Sequence, residues 1–335
     1  MNEKNNNTGK THAFSFGDPE SVLTSSPVDY LGLMLDASGD YYSPPVDLKG
    51  LVNIMGANAY HGSILHFKKD RVMELFEPTR LLKRADMAPF VLDYLATGNS
   101  YLQNLKNPFG NVTRLGHLPA LPMRRIKGEN QYIKLRSESD DITFKRDEVE
   151  HLKEYDPKQS IYGLPEYYGG VQSVLLSEDT TLFRRRLLKN GSHMGYVLVT
   201  NDADLDEDAA AAIEKAVKES KGLGNGKSLY INIGRSNSKE PVQVIPVGNA
   251  GTKDDHDKIK GITEKEMLAM HRMPPGLSGI IPDNAAGFGD QIKTMQVYYY
   301  MEVKSMLATF ETLNERYSEQ VVKFKKPDWL LDDSA

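Results

Sequence analysis

Leu48, Leu51, Val52 and Met55 recur at helical spacing behind Asp47, a residue suited to an N-cap. The pattern predicts a helix over Leu48–Ala59. Just before it, Tyr41-Tyr42-Ser43-Pro44-Pro45-Val46 is held extended by its two adjacent prolines. Further helices are predicted over Ile64–Leu75, stopping before Pro78, and over Ala88–Leu95, ended by Thr97-Gly98-Asn99. The period then shortens. Ser100–Leu105 alternates and reads as a strand, Asn107–Asn111 (NPFGN) as a turn, and Leu115–Leu118, Tyr132–Leu135 and Ile142–Phe144 as short strands.

Near Gly163 the helical period returns. Leu164-Pro165-Glu166 is predicted to open a helix of about 25 residues, about 38 Å long, ending at Asn190-Gly191. Its acids lie early (Glu166, Glu178, Asp179) and its bases late (Arg184, Arg185, Arg186, Lys189), as the helix dipole favours. A compact insert follows: strand Gly195–Thr200, Ala-rich helix Asp206–Ser220, and strands Ser228–Ile233 and Val242–Ile245. That β-α-β-β order reads as a small α/β module. A second long helix is predicted from Lys253 to Arg272, charged at first and apolar later, ending at Pro274-Pro275. Thr263 and Glu266 match a capping box, which allows a break near Gly261. A Gly- and Pro-rich loop, Pro274–Gly289, leads into a last helix, Asp290–Tyr317. Ile292, Met295, Tyr299, Val303, Met306, Phe310, Leu313 and Tyr317 give this helix one continuous apolar face. The whole is an α+β chain.

Composition narrows the classes. A length of 335 residues suggests about two domains or one large elongated one. The absence of cysteine removes disulfide scaffolds, thiolate zinc sites and cysteine nucleophiles. No run of about 18 apolar residues reads as a membrane span. Residues 1 to about 27 read as a flexible polar arm without the pattern of a secretory signal. With 41 Lys+Arg against 46 Asp+Glu, the net charge is −5. Tight coating of nucleic acid is therefore disfavoured, while passage of nucleic acid is not.

Gly222–Ser228 (GLGNGKS) approaches a phosphate-binding loop. Its first glycine is one residue out of place, and a strand is predicted after it where a phosphate loop must open a helix. An NTP-dependent enzyme using this loop is the alternative reading; a helix end and flexible turn is the plainer one. A DNA-binding adaptor without a channel is a third. His61 and His66 lie five apart, off the helical metal-pair spacing. Arg184, Arg185, Arg186 and Lys189 form the densest basic cluster in a helix, either completing the dipole or facing a polyanion. Asp202, Asp204, Asp206 and Asp208 either cap the insert helix or form an acidic docking surface. The Pro274–Gly289 loop is long for a connector within a compact domain, which marks it as functional or disordered.

Several strings in this order resemble the PBSX-type portal proteins of tailed double-stranded DNA bacteriophages. They are SPPVDLKGL (Ser43–Leu51), ATGNSYL (Ala96–Leu102), LPALPMRR (Leu118–Arg125), the run Ile161–Leu198, and HRMPPGLSGIIPDNAAGFGD (His271–Asp290). The resemblance spans about Tyr42 to Tyr317. It implies an elongated protomer: a flexible arm over 1–40, a mixed α/β wing over 41–163, a stem of two helices over 164–190 and 253–273, and a clip over 191–252. A tunnel loop would follow over 274–289, then a long wing helix and short C-terminal remnant over 290–335, with the crown reduced or absent. Pro275, Gly276, Ser278, Pro282, Asn284, Gly287, Phe288 and Gly289 would line the channel. Arg184, Arg185, Arg186 and Lys189 would form a basic stem ring, and Asp202, Asp204, Asp206 and Asp208 would meet the packaging motor. The implied function is a ring-shaped homo-oligomer, a dodecamer when assembled at one capsid vertex, without catalysis, cofactor or metal. Implied partners are passing double-stranded DNA, the terminase large subunit, the major capsid or scaffolding protein and a head-completion protein, with no membrane. The location would be the virion, and the host cytoplasm during assembly.

Overall fold

The structure, a computed structural model, describes residues 40–127, 131–189, 196–200, 229–232, 242–246, 253–278 and 290–329. They fall into two compact units. The smaller carries Ser177–Ile262; the larger carries what is described before and after it.

The larger unit opens with β1 (Tyr41–Tyr42) and α1 (Leu48–Ile54). The Lys49 amide donates to Asp47 Oδ1 at 2.9 Å, which is the N-cap expected from sequence. Next come α2 (His61–Leu75), β2 (Phe76–Glu77) and α3 (Arg84–Thr97). α3 starts at Arg84, earlier than the expected Ala88, and carries Pro89 inside it. It ends as expected: Gly98 takes φ +70° and its amide donates to Tyr94 O.

Strand β3 (Asn99–Lys106) lies between β4 (Val112–Leu118) and β8 (Val149–Lys153), antiparallel to both. The NPFGN turn joins β3 to β4, with Gly110 at φ +86°. A second sheet has the order β1-β5-β6-β7, with β5 at Met123–Ile126, β6 at Tyr132–Lys134 and β7 at Ile142–Phe144. Tyr101, Met123, Tyr132 and Phe144 pack together as its core.

The segment after Gly163 departs from expectation. Glu166–Gly170 is a short 3₁₀ turn, and the α-helix α4 begins only at Val171, running 19 residues to Lys189. That is about 28 Å rather than 38. The cause is local: a Cβ on Gly170 would sit 2.3 Å from Met270 Sδ, so close packing requires glycine, and Gly169-Gly170 disfavours helix.

In the smaller unit, β9 (Tyr196–Thr200) is flanked by β10 (Leu229–Asn232), parallel, and β11 (Val242–Pro246), antiparallel. A parallel neighbour requires a crossover connection. That connection, with the helix expected over Asp206–Ser220, lies outside the described residues. α5 runs from Lys253 to Met270 without interruption, close to the expected bounds, and the break that the Thr263–Glu266 pattern allowed near Gly261 does not occur. A single glycine costs a helix about 1 kcal/mol and does not end it.

The last helix is not uniform. It comprises α6 (Gln291–Tyr298), a π-turn (Tyr299–Val303), α7 (Lys304–Glu311) and a 3₁₀ turn (Thr312–Arg316). The Lys304 amide reaches back to Tyr299 O, the wider closure of a π-turn. Tyr299, Val303, Phe310 and Leu313 of the expected apolar face are buried; Ile292 is 65% exposed. Phe310 packs edge-on against Tyr94 and beside Phe90 in the main core. The residues after Tyr317 also pack back. β12 (Lys323–Phe324) pairs antiparallel with β2, Val321 and Val322 are fully buried, and Asn314 Oδ1 accepts both their amides.

One junction fixes how the chain enters α4. Asn99 is fully buried; its Nδ2 donates to Gly163 O at 2.9 Å and its Oδ1 accepts from Gly163 N at 2.7 Å. A Cβ on Gly98 would lie 2.6 Å from the Leu164 carbonyl carbon, on top of a left-handed φ. Gly98→Ala is therefore expected to lower stability by more than about 1 kcal/mol, measured by denaturant unfolding of the larger unit.

Candidate functional site

The candidate channel residues divide between described and undescribed chain. Pro275 and Gly276 lie in a 3₁₀ turn, Pro275–Leu277, and Ser278 closes it by donating its amide and hydroxyl to Pro275 O. Pro282, Asn284, Gly287, Phe288 and Gly289 lie outside the described residues. Arg184 (half-buried) and Arg185 (exposed) sit in the last turns of α4; the side chains of Arg186 and Lys189 are not described. Asp202, Asp204, Asp206 and Asp208 and the Gly222–Ser228 loop lie outside as well. β10 begins at Leu229, so the residue after that loop enters a strand.

Both ends of the 274–289 segment are defined. At the far end, Asp290 caps α6 by accepting from the Ile292 and Lys293 amides at 3.1 Å. The Lys293 amide is the main cause that lowers the Asp290 carboxyl pKa. At the near end, α5 is followed by Arg272 in the left-handed region, φ +51°, a conformation that costs a non-glycine residue about 1–2 kcal/mol. Arg272 compensates with its side chain. Its Nη2 lies 2.7 Å from Glu166 Oε1 and its Nε 3.1 Å from Glu302 Oε1.

Glu302 comes from the π-turn beyond the segment, so one arginine ties the near end to the helix that leaves the far end. The second Glu302 oxygen lies 3.5 Å from Lys68 Nζ on α2. The Lys68 and Glu302 side chains are 4% and 7% exposed. Burial lowers the Lys68 pKa, opposed by the Glu302 charge. A buried ion pair gains little over a hydrophobic pair of the same shape, but removing one partner strands the other.

Beside this chain of charges, His61 Nδ1 meets His271 Nε2 at 2.9 Å, and Tyr167 packs edge-on against His61. Tyr167 in turn donates its hydroxyl to Ala96 O. Burial pushes the His61 pKa down to about 4. Burial, then the nearby His61 and Lys68, push His271 down to about 2. Both rings are neutral at pH 7, so one donates and the other accepts. A cavity of about 80 Å³ adjoins them, lined among others by Lys68, Tyr94, Glu154, Glu166, Arg272 and Glu302. It has room for roughly two or three waters and not for a nucleotide. Among the described residues, no group of three or more His, Asp or Glu is arranged to hold a metal ion. Lys68, Glu302, Arg272 and Glu166 together tie α2, the π-turn, the end of α5 and the turn ahead of α4 to one another.

Sequence reasoning did not find Lys68, Glu302 or the His61–His271 pair, whose members are 210 positions apart. A signal was present for Lys68. It lies in the stripe Ile64, Leu65, Val72, Leu75, where a charge on the buried face of a helix needs a partner.

With this geometry in place, the comparisons are decisive about class. The phage portal protein profile matches residues 68–326, and the chain belongs to that family. It is 39% identical over 302 residues to the probable portal protein of Haemophilus phage HP1 (strain HP1c1), covering 88% of this chain and 87% of the relative. It is 33% identical over 317 residues to the probable portal protein of Escherichia phage P2, covering 94% and 91%. Among solved structures it resembles a chain of the virion of a native gene transfer agent particle, with TM-score 0.58, 16% identity and 84% of each chain covered. It also resembles an HK97 family phage portal protein from Corynebacterium diphtheriae, with TM-score 0.56, 11% identity and 79% and 93% covered. These likenesses support the mixed α/β portal fold. Among the described residues, no helix is long and apolar enough to cross a membrane.

Two outcomes are expected. Glu302→Gln should cost about 3 kcal/mol in denaturant unfolding, because Lys68 then lacks its buried partner, whereas the double change Lys68→Met, Glu302→Leu should cost less. Acid should also destabilise the fold. His61 and His271 titrate lower folded than unfolded, so the unfolded chain binds more protons below the ordinary value of 6.5. Their contribution is fully present above about pH 7 and is lost as pH falls through 6.5 towards 4; buried His151, also pushed down by burial, adds to it. Unfolding midpoints measured from pH 8 to about pH 4 check the slope.

Proposed function

We propose that this chain is the portal of a tailed double-stranded DNA phage or prophage: a ring of identical copies, twelve when assembled, at one capsid vertex. DNA enters through its bore during packaging and leaves through it on ejection. The observation that carries the reading is family membership across residues 68–326, with 39% identity to a probable portal protein over most of both chains. A second support is that a neck of a native gene transfer agent particle, computed with C12 symmetry, contains a chain of similar fold, with TM-score 0.54.

In this reading residues 41–163 and 290–335 form the wing, α4 and α5 the stem, 191–252 the clip and 274–289 the tunnel loop. The three-stranded sheet within 196–246 suits a small clip module of its own. The terminase large subunit docks on the clip during filling, through Asp202, Asp204, Asp206 and Asp208, and a head-completion protein replaces it. The major capsid or scaffolding protein contacts the ring from outside. Arg184, Arg185, Arg186 and Lys189 position phosphates without reading bases. A mildly acidic chain suits a conduit, because a strongly basic wall holds DNA by counterion release. The protein performs no chemistry of its own and acts in the virion after assembly in the host cytoplasm. No observation favours the NTP-dependent alternative, since the strand after Ser228 provides no helix N-terminus for an anion.

Shortening the loop at Gly287–Gly289 is expected to impair DNA packaging or retention while rings still form, checked by imaging and by nuclease-protected DNA per particle. Normal packaging in such variants would remove the loop assignment.

A further inference from the structure

The last helix carries two signs of a second packing. The π-turn Tyr299–Val303 inserts a surplus residue between α6 and α7. Counting back from Val303, Leu307 and Phe310 at about 100° per residue, an unbroken α-helix would place Ile292, Gln296 and Tyr299 on the buried side and turn Tyr298 outward. The surplus residue moves the register by one, so Met295 and Tyr298 face inward instead. The observed burial follows the second register at the two positions that tell the registers apart: Tyr298 is 1% exposed and Ile292 65% exposed, while Tyr299, turned to the flank of the buried side in that register, stays buried.

That register is not fully satisfied. The Tyr298 hydroxyl is buried without a hydrogen-bond partner, a group that native structures seldom leave unpaired. The unbroken register would return this hydroxyl to water and bury Ile292. It would also move Gln296 inward, away from the Trp329 carbonyl to which its side-chain amide Nε2 donates at 3.1 Å. Each register thus leaves one defect that the other repairs. Glu302, held by Lys68 and Arg272, anchors the C-terminal side of the turn, so the change is confined to α6.

We propose that Gln291–Glu311 is a two-register element. α6 exchanges between the observed π-turn register and an unbroken α-helix, turning by about 100° and lengthening by about 1.5 Å, which displaces its cap Asp290. Its bearing on the channel rests on the portal reading above. The element itself does not, and its test is indifferent to whether rings form.

The chain has no cysteine, so an introduced thiol is unique. Tyr298→Cys and, as control, Leu307→Cys are made in the full-length protein and their reaction with a thiol reagent is timed under native conditions. Trp329, the single tryptophan, reports an intact fold by fluorescence. The thiol at 298 is expected to react about ten-fold faster than the thiol at 307, through local exchange rather than global opening. Deleting Met301 removes the surplus residue while leaving position 298 inward, and should slow it to the control rate. Equal rates at both positions, or a rate at 298 unchanged by the deletion, overturn the proposal. Should these variants not fold, amide exchange over Tyr299–Lys304 decides. Tyr298→Phe removes the hydroxyl's gain from turning outward and is expected to slow exchange there, with α7 unaffected; unchanged exchange overturns the proposal.

Discussion

The carboxylate of Glu302 is nearly out of water, and two cations from distant parts of the chain converge on it. Lys68 reaches it from α2 and Arg272 from the end of α5, while Arg272 also holds Glu166 just ahead of α4. Four stretches of chain, far apart in sequence, meet through three side chains and one carboxylate that cannot afford to lose them. Buried charges of this kind add little net stability, and their value lies in permitting one arrangement. Here the arrangement sets the distance between the place where the chain leaves α5 and the helix to which it returns.

Close backbone packing supplies the second constraint. Gly98, Gly163 and Gly170 leave no space for a side chain against Leu164, Gly98 O and Met270 respectively. Asn99 then clasps both backbone groups of Gly163. Together these contacts explain why strings such as ATGNSYL and YGLPEYYGG carry the family likeness although none contains a reacting group. They are joints. The left-handed Arg272 is a joint as well, held against its conformational cost by two ion pairs.

Much of this was legible from the sequence, and the exceptions have physical causes. Asp47, Gly98 and the NPFGN turn act locally, so their roles could be read directly. Two helix starts were misplaced: α3 opens at Arg84, ahead of Pro89, and α4 opens only after Gly169-Gly170 rather than at Leu164-Pro165-Glu166, because close packing at Gly170 overrides local propensity. β5 and β8 were missed because short strands such as Met123–Ile126 declare themselves only through partners elsewhere in the chain. The C-terminal stretch looked like a remnant, yet Val321 and Val322 are core residues held by Asn314 and β2. The apolar face of the last helix was correct in composition and blurred in register, since Ile292 and Met295 belong to different registers across the π-turn. The pairing of Lys68 with Glu302 and of the two histidines stayed hidden because partners 210 or more residues apart leave no spacing to read.

The portal account makes the chain a segment of a closed assembly whose bore is edged by the ends of the 274–289 segment. Cryo-electron microscopy of the purified full-length protein tests this most directly. The account predicts a closed ring, with an opening wide enough for duplex DNA, in which Pro275 and Asp290 lie towards the bore. A protein that stays monomeric at high concentration, or a ring that carries those two residues on its outer rim, would contradict it.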